Sequence, residues 1–224
     1  MLPTVTRSAM AELLVVRHAQ ASFGADDYDK LSPLGHEQSR LLGALLKARG
    51  WQPDRVVTGA LRRQGETLQL MGFAPEEVHA GFDEYDFYDL LNARFPEGVP
   101  NDVRQDRRTH FRTLRETILS WQADELDGVK ETWADFETRV ADALAYATRA
   151  GAKKVMVVSS GGPIGQMVAS TLEAPAAQMM QVNLQVKNTS VTRFVFNERV
   201  RYLSGFNETP HLDVPEHQDK VTFS

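Results

Sequence analysis

Short apolar runs alternate along this chain with longer stretches of helical periodicity. Leu13-Leu14-Val15-Val16 is a continuous apolar run, the pattern of a strand buried on both faces, and it ends abruptly in Arg17-His18-Ala19-Gln20. Residues 21–31 are polar and turn-rich and read as a loop over the strand end. Ser32-Pro33 predicts a helix start, with Ser32 as the cap and Pro33 in the first turn. Leu41, Leu42, Leu45 and Leu46 keep helical spacing up to a stop at Gly50. A second strand is predicted over 54–58 and a second helix over 61–71. Residues 78–95 are irregular, acidic and aromatic, and no regular element is assigned to them. Amphipathic helices are predicted over 102–126, carrying Phe111, Leu114, Ile118 and Trp121, and over 133–150, carrying Phe136, Val140, Leu144 and Ala145. A third buried strand covers 155–158 and a helix 163–172. Residues 191–196 and 201–206 read as a hairpin turning near Asn197-Glu198.

Strands alternating with helices predict an α/β fold: a three-layer α/β/α sandwich with a mostly parallel sheet, a C-terminal hairpin and a helical insertion. The expected organisation is one domain over 1–224. Within it, 83–150 form a loop and helical insertion, and 212–224 are a candidate mobile tail. The 224 residues and 42% apolar content support a sizeable core. With 25 basic against 30 acidic residues, the net charge of −5 argues against nucleic acid or an anionic membrane as partner. Any phosphate site must then be a local basic pocket. The absence of cysteine excludes disulfides, thiolate catalysis and zinc–thiolate sites. The first ten residues lack the apolar core of a secretory signal, and no run approaches the ~18 residues of a membrane span. A cytoplasmic protein is expected.

Three predicted strand ends carry polar chemistry, and ligands in such folds sit outside the carboxyl ends of strands. The first offers Arg17, a planar binder of phosphate, and His18, a side chain poised near neutral pH. The second offers Thr58, followed by Arg62 and Arg63. The third offers Ser159-Ser160-Gly161-Gly162-Pro163, a glycine-rich entry to a helix whose N–H groups can cradle an anion. Each has a plain structural reading: Arg17 in a surface ion pair, His18 as a packed histidine, one arginine on a solvated helix face, the glycines as a tight turn. Glu84 and Asp86, on composition, read as surface charges. Their joint occurrence in this order favours phosphoryl chemistry. A serine hydrolase built on Ser160 is disfavoured, because Val158 occupies the first glycine position of Gly-x-Ser-x-Gly.

The same pieces resemble the histidine phosphatase superfamily, the phosphoglycerate mutase-like proteins, over nearly the whole chain. LLVVRHAQ matches the apolar strand followed by Arg-His-Gly-Glu or a close variant, and LSPLGHEQSRLLGALL the helix after it. VVTGALRRQGET resembles Ser-x-x-Leu-x-Arg-Ala-x-x-Thr and selects Arg63 over Arg62. FDEYDF resembles the segment of the acidic proton donor and selects Glu84, while NTSVTRF and GFNETPHL resemble the closing hairpin. The resemblance implies a metal-independent reaction without cofactor, in which His18 becomes phosphorylated. Arg17 and Arg63 would neutralise the phosphoryl oxygens, and Glu84 would protonate the leaving oxygen, its acidity tuned by Phe82, Tyr85 and Phe87. Ser160, Gly161, Ser22 and Gln20 complete the expected substrate-binding set.

This sequence departs from the pattern at several positions. Ser160 stands where the family places a second histidine, a loss that by analogy with an oxyanion donor costs ~10²–10³ in rate. Ser159, Ser22 or a swinging His211 are candidate compensators. Ala19 and Gln20 replace Gly-Glu, and Gln64 replaces a small residue. The expected function is a phosphatase acting on a small phosphorylated substrate, or on a phosphohistidine protein. The alternatives are a weak or inactive phosphate-binding pseudoenzyme and a phosphoglycerate mutase. Oligomeric state is not legible.

Overall fold

The computed structural model describes residues 10–22, 29–101, 103 and 107–223. Its centre is a six-stranded sheet. In chain order the strands are β1 (Ala11–Arg17), β2 (Arg55–Thr58), β3 (Glu77–Val78), β4 (Lys154–Ser159), β5 (Val191–Phe196) and β6 (Arg201–Glu208). They lie side by side as β3-β2-β4-β1-β5-β6. The first four run parallel, and β5 and β6 add an antiparallel edge.

Alternate residues of β1 feed two cores. Leu13 and Val15 join Val57, Val155, Val157, Phe136 and Ile164 on one face, whereas Leu14 and Val16 join Leu42, Leu46, Leu68 and Met156 on the other. The apolar run has no polar alternation because both faces are covered. The second face is covered by α1 (Pro33–Ala48) and α2 (Arg62–Leu70). The first is covered by α5 (Trp133–Ala147), α6 (Gly161–Thr171) and α7 (Ala176–Asn183), with α3 (Phe87–Arg94) and α4 (Arg107–Gln122) outside them. The three-layer α/β/α expectation therefore describes the molecule. β1 is followed by a helix on one face, and its neighbour β4 by a helix on the other. Such a switch between adjacent parallel strands opens a crevice at their carboxyl ends.

Local signals explain the element boundaries. Ser32 Oγ accepts from Gly35 N–H at 3.0 Å, so the cap and the following proline start α1. Thr132 and Asp135 cap α5 reciprocally. Asn197 Oδ1 accepts from Arg199 and Val200 N–H and turns the hairpin.

Several expectations are corrected. The stretch 78–95 contains a 3-10 turn over Ala80–Phe82 and the helix α3, capped by Asp86. With Leu90 and Leu91 its only buried residues, α3 shows no helical stripe. The helix α7 begins after Pro175, in a stretch to which the sequence pattern assigns no element. α6 starts two residues before Pro163, because Gly161 and Gly162 already belong to its first turn. The helix expected over 102–126 is seen as α4; residues 102 and 104–106 of that reading lie outside the described residues. The candidate tail forms a 3-10 turn over Pro215–Lys220 and packs against α1, where Gln38 Nε2 donates to Lys220 O at 2.7 Å and to Thr222 Oγ1 at 2.9 Å. Among the described residues no helix is long and apolar enough to cross a membrane.

Candidate active site

The ends of β1 and β4 meet edge to edge. Arg17 is in register with Ser159, and His18 N–H donates to Ser159 O at 2.9 Å. His18 is 3% exposed. Its Nδ1 lies 2.8 Å from the carbonyl oxygen of Ala19. A carbonyl only accepts, so Nδ1 carries the proton and Nε2 keeps a lone pair. That lone pair accepts from Arg63 Nε at 3.2 Å. Burial, reinforced by the positive charges of Arg63 and Arg17, holds His18 well below the usual imidazole range. A neutral imidazole with Nε2 unprotonated is the form in which histidine can act as a nucleophile, once a phosphoryl group takes the place of the Arg63 bond to that nitrogen.

The surroundings fix this ring through its backbone. Ala19 N–H donates to Thr67 Oγ1 at 2.9 Å, and that hydroxyl donates to Arg63 O at 2.7 Å, so one turn of α2 holds both Arg63 and the histidine's chain. Asn188 Nδ2 donates to His18 O at 3.1 Å. Arg63 Nη1 pairs with Asp29 at 2.6 Å. Arg62 faces outward and pairs with Glu66 at 2.6 Å. The Arg17 guanidinium donates to Val186 O and, at 3.2 Å, to Phe223 O.

Glu84 comes from the loop after the 3-10 turn. Its two carboxyl oxygens lie 3.0 and 3.2 Å from Gly162 N–H in the first turn of α6. Burial pushes the Glu84 carboxyl up. The Gly162 bond and the charges of Arg63 and Arg17 pull against that shift without cancelling it. The loop is anchored on three sides. Phe82 O accepts from Ser159 Oγ at 2.8 Å and from Gln64 Nε2 at 2.9 Å. Asp83 Oδ1 accepts from Ala60 N–H at 2.6 Å. Arg139 of α5 donates to Gly81 O at 3.2 Å and Asp83 O at 2.8 Å. Tyr85 packs on Trp121 and Phe136, with ring centroids 5.5 and 5.8 Å away, and its hydroxyl accepts from Asn183 Nδ2 at 3.0 Å. Phe87, expected beside Glu84, packs edge-on against His110 instead, because α3 carries it outward.

Gly162 has a specific reason to be glycine. A Cβ there would sit 2.2 Å from Glu84 Oε1 and 2.5 Å from Tyr85 Cε1. Gly162→Ala is therefore expected to displace the carboxyl and to cost about 1–3 kcal/mol of stability as overpacking. Urea denaturation would show the loss; an unchanged midpoint would contradict the close fit.

The remaining expected site residues are placed as follows. Ser160 is fully buried at the N-cap of α6, where its Oγ accepts from Gln64 Nε2 at 2.9 Å. Gly161 follows it, facing Asn183. Gln20 Oε1 accepts from Ser32 Oγ at 2.8 Å, and Ser22 N–H donates to Lys30 O at 2.8 Å. Gln20 is thereby tied to the N-cap of α1. Among the described residues no hydrogen bond joins the side chains of Gln20 and Ser22 to His18, Arg63 or Glu84. His211 Nε2 is bonded to Thr189 Oγ1 at 2.8 Å, Thr189 N–H in turn donating to Arg17 O at 3.1 Å, and burial lowers the His211 pKa to about 4.

Residues 13–209 match the family model of the histidine phosphatase superfamily, branch 1. The chain belongs to the histidine phosphatase superfamily. Solved structures share its fold at low identity. A phosphoserine phosphatase mutant from Entamoeba histolytica, in complex with phosphoserine, is 20% identical with a TM-score of 0.61, over 90% of this chain and 98% of that one. A putative alpha-ribazole-5'-P phosphatase from Escherichia coli is 19% identical with a TM-score of 0.64, over 89% and 98%. A mycobacterial glucosyl-3-phosphoglycerate phosphatase is 20% identical with a TM-score of 0.59, over 88% and 98%. No curated protein sequence matches the chain significantly. Within this superfamily fold, Asp29 and Arg139 are contacts of the site residues and the Glu84 loop that the motif reading did not name, whereas Gln64, Thr67 and Asn188 lie inside the matched segments without a role assigned there.

Proposed function

We propose that the protein is a phosphatase that hydrolyses small phosphomonoesters through a phosphohistidine on His18. The observation that carries this reading is the His18 ring itself: Nδ1 tied to Ala19 O, Nε2 aimed at Arg63 Nε. In the first step Nε2 attacks phosphorus in line, the phosphorus–oxygen ester bond breaks, and Glu84 gives its proton to the leaving oxygen. In the second, Glu84 takes a proton from water as the water oxygen attacks phosphorus and the phosphorus–nitrogen bond breaks. Inorganic phosphate leaves and His18 returns neutral. Dividing the transfer in two is the logic of covalent catalysis. Arg63, bonded to Nε2, and Arg17, whose charge also acts on His18, would neutralise the phosphoryl oxygens, and the raised pKa of Glu84 suits a group that first donates and then accepts a proton. Ser160 stands where the family resemblance places a second histidine, so His18 carries the imidazole chemistry in this reading.

The names of its structural neighbours suggest the first substrates to try: phosphoserine, an α-ribazole phosphate and a glucosyl phosphoglycerate. Phosphate release from these and from a wider monoester and phosphohistidine panel is the test, read as a pH profile of kcat/KM. Activity falls as His18 gains a proton on the acid side and as Glu84 loses one on the alkaline side. Because His18 is lowered and Glu84 raised, the acid limb is expected below the ordinary histidine range and the alkaline limb above the ordinary glutamate range. Ligand binding with no release from any member of the panel would overturn the reading.

A further inference from the structure

Gln64 is fully buried one residue beyond Arg63, and its amide is the centre of a closed ring of contacts. Its Nε2 donates both to Phe82 O and to Ser160 Oγ, each at 2.9 Å. Its Oε1 accepts from Leu61 N–H at 3.2 Å at the start of α2, a donor it shares with Asp83 Oδ1 at 3.3 Å. Phe82 is two residues before Glu84, and Ser160 is two residues before Gly162. Gly162 N–H in turn donates to the Glu84 carboxyl. The ring runs from Glu84 to Gly162, along the chain to Ser160, across Gln64 to Phe82, and along the chain back to Glu84. Gln64 is the member that closes it, and its two amide protons and its oxygen are all engaged. The amide therefore has no donor left for a phosphoryl oxygen and acts through what it holds.

We infer that Gln64 is a positioning residue for the proton donor: its amide locks the Glu84 loop to the entry of α6 at the distance that lets Glu84 reach the leaving oxygen. This rests on the phosphatase reading above. It also joins two departures from the family pattern, since Gln64 and Ser160 are both fully buried and bonded to each other at 2.9 Å. Proton donation matters most when the leaving group is a poor one. An alkoxide must be protonated as it departs, whereas p-nitrophenolate leaves unaided. Misplacing the donor by a fraction of an ångström should therefore be felt on one substrate and not on the other.

The test compares kcat and KM for β-glycerophosphate and p-nitrophenyl phosphate across wild type, Gln64→Met, Ser160→Ala, Glu84→Gln and Gln64→Met with Glu84→Gln. Methionine keeps the length of Gln64 and removes its donors. Gln64→Met is expected to lower kcat on β-glycerophosphate about 10²-fold, with KM little changed. On p-nitrophenyl phosphate the change should stay within about threefold. On top of Glu84→Gln, Gln64→Met should add no further loss, because its target is already gone. If Gln64→Met does not fold, Ser160→Ala opens the same ring at one bond and should show the same split in milder form. Equal losses on both substrates, or full additivity with Glu84→Gln, would reduce Gln64 to a structural residue and overturn the inference. If Glu84→Gln itself shows no split, or if wild type releases no phosphate, the phosphatase reading has failed and the inference falls with it.

Discussion

His18→Ala is expected to abolish phosphate release, lowering kcat by about 10⁴-fold or more, the scale on which losing a covalent nucleophile is felt. The buried ring is held by its neighbours' backbone and side chains, and alanine keeps the backbone bonds to Ser159 and Asn188. The variant should therefore fold and still bind phosphate through the arginines, so loss of turnover would not reflect loss of the site. Rapid quench of wild type with a labelled substrate should trap an acid-labile, alkali-stable phosphoryl group that the variant lacks. Undiminished hydrolysis by His18→Ala would sink the mechanism outright.

Glu84→Gln is expected to cost about 10²–10⁴-fold on alkyl monoesters, the usual worth of a positioned general acid. Glutamine preserves the shape and can still accept from Gly162 N–H, so the substitution removes the proton and little else. Two signatures separate this from general damage. The alkaline limb of the pH profile should disappear, because no group remains whose deprotonation stops the reaction. The loss should also shrink as the leaving group becomes more acidic. A profile with its alkaline limb intact would assign that limb to another residue.

How much of this could be read from the sequence depends on how local each signal is. Arg17-His18 was visible because a buried strand and the polar residues beyond it are contiguous. The choice of Arg63 over Arg62 came from the resemblance; in the structure Arg63 turns toward His18 and Arg62 toward Glu66. Glu84 looked like surface charge on composition, since nothing near it in sequence reveals that α6 and Tyr85 will close over it. The helix α3 was missed because it buries too little to print a periodicity. Gln64 and Ser160 were each visible as oddities. That they are one feature is legible only once β4 lies beside the loop from Phe82 to Glu84, because their partnership spans 96 positions.

The returning tail has a consequence for how the protein comes into being. Arg17 and Phe223 touch across 206 positions, and Gln38 reaches Lys220 across 182. Contacts of such separation are among the slowest to close, since the intervening loop must be ordered first. The strand bearing His18 can pair with β4 before the tail arrives, but the arginine beside it gains its Phe223 carbonyl anchor only when the tail docks. Under the proposed mechanism, a chain still folding would hold His18 before Arg17 is anchored, and catalytic competence would arrive as one of the last events of assembly.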